Sequence, residues 1–256
     1  MATLREIQLT ELEMLRYFDK LCREHGLRYS LIGGSMLGAV RHKGFIPWDD
    51  DIDTYMSIED FRKFVKIFKE NTDYFLQSPN TDIQSPFVMY KLRKNNTCMM
   101  EPGTERLHIH QGIWLDIFVY CNAGKYGFTK KMQRFLLSIL QTYRCRYRYC
   151  EKGSRRIGHF LLCKLPAWFQ LGIDCIIMQL IAWFGSAKSS EIFAIDVAGH
   201  FFYPKRFFED QAEYQFEDLK AVGMKDSDGY LRYVYGDSYM IPKQWNHMGD
   251  YSKVQL

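Results

Sequence analysis

At 256 residues, with 47% hydrophobic and 25% charged positions, the chain carries enough apolar material for one large core, and its composition excludes a disordered or fibrous protein. A net charge of +4 is too small to mark a nucleic-acid binder, and no nucleic-acid partner is expected. Seven cysteines without a Cys-x-x-Cys pair fit neither a disulfide framework nor a zinc site, and read as reduced thiols of a cytoplasmic protein.

Residues 1–13 mix charged and apolar side chains and lack the basic-then-apolar build of a secretory leader. No run approaches the ~18 apolar residues of a membrane span. Leu12, Leu15, Phe18, Leu21 and Cys22 recur at helical spacing over residues 10–25, and Gly26 supplies the stop. Residues 28–32 read as a strand, Gly33-Gly34-Ser35 as a turn and residues 36–40 as the start of a helix. Glycines let a backbone come close to a ligand, and helix N-terminal amides bind phosphate.

Asp49, Asp50, Asp51 and Asp53 follow within five residues, beside Trp48, Ile52 and Tyr55, which draw the segment toward burial. Like charges confined together need a cation or shared protons. In an extended strand Asp51 and Asp53 share a face roughly 6.6 Å apart; Asp49 has the same parity, and Asp50 should point away. Two or three carboxylates facing a phosphate cradle define a divalent-metal site, for Mg²⁺ or Mn²⁺, suited to phosphoryl chemistry.

Ser57-Ile58-Glu59-Asp60 has the form of a capping box and opens a helix with Phe61, Phe64, Val65 and Phe68 inward. Residues 88–93 and 97–101 read as paired strands across Lys94-Asn95-Asn96. Over residues 113–120, Ile113, Leu115, Ile117 and Val119 take one strand face, and Trp114, Asp116 and Phe118 the other. An aspartate between two aromatics on a sheet face reads as a ligand, so Asp116 is the candidate third carboxylate and the acceptor of a proton from an attacking hydroxyl. The amides of Gly33, Gly34 and Ser35, with the Ser35 hydroxyl, would cradle nucleotide phosphates. Arg41, Lys91 and Arg93 would neutralise developing charge on phosphate oxygens. His42 and Lys43 read as a turn-exposed pair.

Residues 129–183 read as mostly helical, interrupted at Gly153, Pro166 and Gly172. Nine Lys and Arg residues fall between Lys130 and Arg156, with Glu151 the only acid among them. An apolar, aromatic run then extends from Phe160 to Phe184. A basic stretch followed by an aromatic amphipathic one suits either a membrane surface or a solvated basic helix beside a core helix.

The run G-G-S-M-L-G-A-V-R-H-K-G-F-I-P-W-D-D-D-I-D, from Gly33 to Asp53, resembles the signature of the LicD family, within the fukutin-like group of the nucleotidyltransferase superfamily. Weaker resemblances follow in order. Tyr90-Lys91-Leu92-Arg93 is similar to the family's basic strand, Gly112–Phe118 to the strand carrying its third carboxylate, and Tyr230–Pro242 to its closing Tyr-Gly-Asp motif. The resemblance implies an α+β fold, a nucleotidyltransferase-like mixed sheet core flanked by helices with a helical C-terminal half. The chain itself reads as a catalytic core over 1–128, a basic and aromatic helical segment facing acceptor or membrane over 129–190, which matches no family motif, and a part over 191–256 that packs back on the core.

The resemblance also implies a phosphotransferase. Such an enzyme takes a phospho-alcohol from a CDP-activated donor, for instance phosphocholine from CDP-choline or ribitol phosphate from CDP-ribitol. It places the group on a hydroxyl of a glycan or lipid-linked glycan (lipopolysaccharide, teichoic acid or capsule) and releases CMP. The expected location is cytoplasmic, with peripheral contact at the inner face of the cytoplasmic membrane. The same carboxylates would serve a true nucleotidyltransferase that attaches NMP to a small molecule, protein or RNA. A non-catalytic binding scaffold would have no use for Asp51, Asp53 and Asp116 together.

Overall fold

A computed structural model of the chain describes residues 2–149, 156–196, 200–242 and 254–256. Its first helix, α1 (Leu4–Glu24), starts earlier than the apolar spacing suggests. Thr3 accepts a hydrogen bond from the Glu6 amide, and the Glu6 carboxylate accepts one from the Thr3 amide, a reciprocal cap that fixes the start. After β1 (Tyr29–Leu31), the two glycines do not form a separate turn. They are the first turn of α2 (Gly33–Arg41), whose first helical bond runs from Met36 N–H to Ile32 O.

The acidic segment departs from the expected strand. The Asp49 amide bonds Ile46 O and closes a turn, so β2 begins only at Asp53 (Asp53–Ser57) and Asp49–Asp51 lie in the loop that leads into it. Helix α3 (Ile58–Ile67) is capped by the Ser57 side chain, which accepts from the Asp60 amide. Residues 97–101 are likewise not a paired strand. Thr97 donates to Lys94 O and accepts from the Ile113 amide, which bends the chain, and Cys98 makes only an isolated bridge to Gln255. The outer neighbour of β4 (Tyr90–Lys94) is instead β3 (Tyr74–Gln77).

Strand β5 (Trp114–Asn122) is the centre of the molecule. It runs parallel to β2, antiparallel to β4 along its first half and antiparallel to β6 (Glu191–Ile195) along its second. The resulting mixed sheet has the order β1-β2-β5-β4-β3, with β6 on β5 and β7 (Phe202–Pro204) on β6. Leu115, Ile117 and Val119 on one face are fully buried and Asp116 and Phe118 on the other nearly so, as expected of a strand covered on both sides. Helices and a mixed sheet in one core make this the α+β fold that the resemblance implied.

Four helices fill the middle of the chain: α4 (Gly127–Arg144), α5 (Arg146–Tyr149), α6 (Arg156–Cys163) and α7 (Ala167–Trp183). Two cations of the basic stretch turn out to be interior. Arg144 pairs with Asp174 and donates to Val88 O, and Arg146 donates to Gln170 Oε1. Glu151, Lys152, Gly153, Arg155 and Cys150 lie outside the described residues, as does the Arg156 side chain. Beyond the helices the chain returns to strands that its pattern did not reveal. After β7 and the short α8 (Arg206–Glu209), the hairpin β8 (Gln211–Phe216) and β9 (Leu219–Met224) packs on β1 and α2, and α9 (Ser227–Tyr235) lies beside α2. Cys22, Cys98, Cys121, Cys145, Cys163 and Cys175 form no disulfide among the described residues.

Candidate active site

Register builds the centre of the site. Asp53 on β2 is the direct partner of Asp116 on β5, and Asp116 is in turn the partner of Lys91 on β4. Paired residues on adjacent strands point to the same face about 4.8 Å apart, so the three side chains stand in a row across the sheet. The loop then delivers Asp51 to that row. Asp51, Asp53 and Asp116 each offer a carboxylate oxygen within 4.8 Å of one another. Asp49, Asp50 and Asp51 form a second group within the same limit. Asp50, expected to point away, therefore joins the cluster, because strand alternation does not govern a loop.

Three glycine and serine positions shape the approach. A Cβ on Gly34 would lie 2.7 Å from Asp49 Oδ2, so only glycine lets the acidic loop close over the start of α2. Gly33 has a left-handed φ of 52°, and a Cβ there would lie 3.3 Å from Asp53 Oδ2. The Gly33 amide donates to the Tyr230 hydroxyl at 3.0 Å. As first-turn residues, Gly34 and Ser35 have N–H groups without an acceptor inside the helix. The buried Ser35 hydroxyl accepts from the Asp53 amide at 2.8 Å, which ties β2 to α2 and turns the hydroxyl away from the cleft it was expected to line.

The cations separate into two places. Arg41 lines the cleft, with Nη1 donating to Tyr239 O at 2.8 Å and Nε bonding His42 Nε2 at 2.9 Å. Lys91 is buried, with Nζ 2.8 Å from Asp116 Oδ1 and 3.2 Å from Glu101 Oε2, beneath the rings of Phe87 and Trp114. Arg93 is not brought to the cleft. Its guanidinium is fully buried and donates to Gln77, Gly112 O and Glu101. It orders the interior behind Lys91.

A cleft of about 430 Å³ opens in front of the carboxylates, a volume within the range of small-molecule sites. Gly34, Arg41, Trp48 and the four aspartates Asp49, Asp50, Asp51 and Asp53 form one wall, and Tyr235, Ser238, Tyr239 and Ile241 form the other. The second wall is the Tyr-Gly-Asp segment, so a stretch nearly two hundred residues away completes the site. No side chain on that wall could be assigned from spacing alone.

Crowding sets the electrostatics. Burial, then the charges of Asp49 and Asp116, push the Asp51 carboxyl up to about 8. Burial, then Asp51 and Asp116, hold the Asp53 carboxyl well above the usual range. Burial raises Asp116 as well, against the lowering effect of Lys91. Burial and the charges of Asp53, Asp49 and Asp51 also raise the Tyr235 hydroxyl. A cluster in this condition is short of positive charge.

One further carboxylate belongs here. Glu11 on α1 is fully buried, and among the described residues neither of its oxygens has a hydrogen-bond partner. One turn earlier on the same face, Gln8 donates to Asp49 O at 2.9 Å, so this face of α1 lies against the acidic loop. Burial, then the charges of Asp51, Asp50, Asp49 and Asp116, raise the Glu11 carboxyl well above its ordinary value. The sequence held one sign of it: Glu11 falls on the apolar stripe of α1 with Ile7, Met14, Leu15 and Phe18, where a charged residue is out of place. An all-oxygen set of hard ligands, deficient in positive charge and backed by an orphaned carboxylate, fits Mg²⁺ or Mn²⁺ rather than a soft metal.

A carboxylate pair on neighbouring strands stands opposite a glycine-led helix N-terminus. Residues 26–137 match the LicD/FKTN/FKRP nucleotidyltransferase domain. Over 94% of its length the chain is 30% identical to the lipopolysaccharide cholinephosphotransferase LicD of Haemophilus influenzae, covering 93% of that protein. A 48-residue stretch is 48% identical to the ribitol 5-phosphate transferase FKRP of Mus musculus and of Homo sapiens, covering 19% of this chain and 10% of either relative. The chain belongs to the LicD family.

Proposed function

We propose that this chain is a phosphotransferase that moves a phospho-alcohol, phosphocholine or a close analogue, from a CDP-activated donor to a hydroxyl of a glycan or lipid-linked glycan. In the balanced step, the acceptor oxygen bonds to the donor phosphorus that bears the alcohol. The bond from that phosphorus to the bridging oxygen breaks, and the bridging oxygen leaves with CMP. Asp116 takes the proton of the acceptor hydroxyl, held in position by Lys91. Arg41 neutralises phosphate charge at the mouth of the cleft, and the first-turn amides of α2 at Gly34 and Ser35 receive phosphate oxygens. Tyr235 and Tyr239 close the opposite wall over the nucleotide.

Asp49, Asp51, Asp53 and Asp116 are the residues that would hold Mg²⁺ or Mn²⁺, with Glu11 behind them. A divalent cation bound there would polarise the phosphoryl oxygens and neutralise the leaving group. The observation that carries the reading is the Asp53–Asp116 register with Asp51 within 4.8 Å. It gains from the family membership and from the phospho-alcohol transferases among the relatives.

The test is a panel of CDP-alcohols (choline, ethanolamine, ribitol, glycerol) assayed for CMP release with a glycan acceptor and Mg²⁺. CMP formed from one or more of them, dependent on acceptor and on divalent cation, is the expected result. Consumption of NTPs with pyrophosphate release, while every CDP-alcohol stays inert, would assign nucleotide transfer instead.

A further inference from the structure

Helices α4 and α7 lie antiparallel, fixed by three contacts spread along their lengths. Gln133 donates to Ile181 O, Tyr143 donates to Gln170 O, and Arg144 pairs with Asp174. Each turns one face to the core, through Leu136, Leu137 and Leu140 on α4 and Ile177, Met178 and Ile181 on α7. On α7 the opposite face is apolar too, and on α4 it mixes apolar side chains with Lys131, Arg134 and Ser138. On α4, Phe128, Phe135 and Ile139 are exposed. On α7, Trp168 is 73% exposed and Trp183 74%, with Phe169, Ile176 and Leu180 between them. A helix apolar all round is normally buried, and contiguous exposed apolar surface on this scale marks an interaction site.

Charge decides what covers it. Lys125, Lys131, Arg134, Lys164 and Lys188 are exposed around the helices. Among the described residues from 125 to 188, Asp174 is the only acid, and Arg144 neutralises it in the interior. The patch therefore combines aromatic anchors with charge of a single sign. The pairing places Trp183 and Phe128 at one end of the helix pair and Trp168 at the other, where indoles suit a bilayer interface. No helix of the described residues is long and apolar enough to cross a membrane, so the helices would lie in the plane of the surface.

We infer that the outer face of α4 and α7 docks this protein on an anionic lipid surface, with Trp168 and Trp183 entering the headgroup region and the surrounding lysines and Arg134 facing acidic headgroups. The inference goes beyond the reaction proposed above and does not depend on it.

Co-sedimentation with phosphatidylcholine vesicles, with and without phosphatidylglycerol, tests it in the absence of donor and cation. Binding is expected only to the phosphatidylglycerol vesicles, with a blue shift of tryptophan emission. It should weaken with salt, as the Debye length falls from about 10 Å at 0.1 M to about 3 Å at 1 M. Trp168→Ser combined with Trp183→Ser, two exposed positions that leave the core intact, should lower binding about tenfold or more. Lys131→Glu with Arg134→Glu should remove the preference for anionic vesicles. Equal binding to both compositions, strong or negligible, would overturn the inference. So would a dimer in sedimentation analysis that the double Trp variant dissolves, because a second copy would then be the occupant.

Discussion

Asp53 has the most to lose from a single change, because it sits at the join of β2, α2 and β5. Asp53→Asn, Asp51→Asn and Asp116→Asn are each expected to reduce turnover about a hundredfold or more, ~2.7 kcal/mol of barrier, while Asp50→Asn, outside the Asp51–Asp53–Asp116 group, costs less. Stability should move the other way. Burial and the charges of Asp51 and Asp116 raise the Asp53 carboxyl, so its charged form opposes folding near neutral pH, and Asp53→Asn should raise Tm in EDTA while erasing the rise produced by Mn²⁺. Unchanged Mn²⁺ stabilisation in that variant would remove Asp53 from the site. Glu11→Gln should also stabilise the metal-free protein and weaken Mn²⁺ binding by about tenfold, the lower end of what supporting groups around a metal contribute. Calorimetric titration with Mn²⁺ measures it directly, and an unaltered affinity would leave Glu11 a bystander. The aspartates were legible because they are contiguous and their charge density is itself a signal. Glu11 showed only as a charge on the apolar stripe of α1, and its place in the site was not legible, because only the docking of α1 against residues 46–49 brings it there. Arg93 shows the converse: its place in a basic strand was readable, but its burial against Gln77 and Glu101 was a fact of packing.

At the scale of elements, two buried or half-buried ion pairs carry separate expectations. Arg144 and Asp174 join α4 to α7 with both groups largely buried. Asp174→Leu alone leaves an uncompensated guanidinium and should cost roughly 3–5 kcal/mol in urea unfolding, whereas adding Arg144→Met should recover much of the loss. Additive losses would mean that the pair does not act as a unit. Glu217, at the β8–β9 turn, accepts from Arg5 on α1 at 2.7 Å and from the Phe45 amide at 3.3 Å. The Arg5 hydrogen bond lowers its carboxyl below the ordinary 4.5. A depressed carboxyl contributes stability above its unfolded value and loses it as pH falls through the folded one. Glu217→Gln should therefore lower stability by about 1 kcal/mol or less at neutral pH, and the difference from the parent should vanish in acid below that range. Strands β3 and β6 to β9 escaped the sequence reading for a common reason. They are three to six residues long, too short for alternation to stand out, and they are held by neighbours distant in sequence. Strand β5 was readable because nine residues of alternating pattern leave little ambiguity.

For the whole molecule, the sheet sets one carboxylate row, the acidic loop and α1 surround it, and the C-terminal Tyr-Gly-Asp segment supplies the far wall of the cleft. The helical layer α4–α7 stands on the same core and keeps a basic, aromatic face outward. In the first 120 residues α1, β1, α3, β4 and β5 followed from local pattern, whereas β3 and the loop at Asp49–Asp51 did not. The closure of the cleft by residues 235–241 did not, since nothing in that segment's own composition says what it faces. The central claim, transfer of the phospho-alcohol rather than of the nucleotide, is tested most directly by isotope position. A CDP-alcohol labelled with ³²P either at the alcohol-bearing phosphorus or at the cytidine-bearing one is incubated with acceptor and Mg²⁺. The account predicts that the acceptor takes up label only from the alcohol-bearing phosphorus and that CMP carries the other. Label appearing on the acceptor from the cytidine-bearing phosphorus would contradict it.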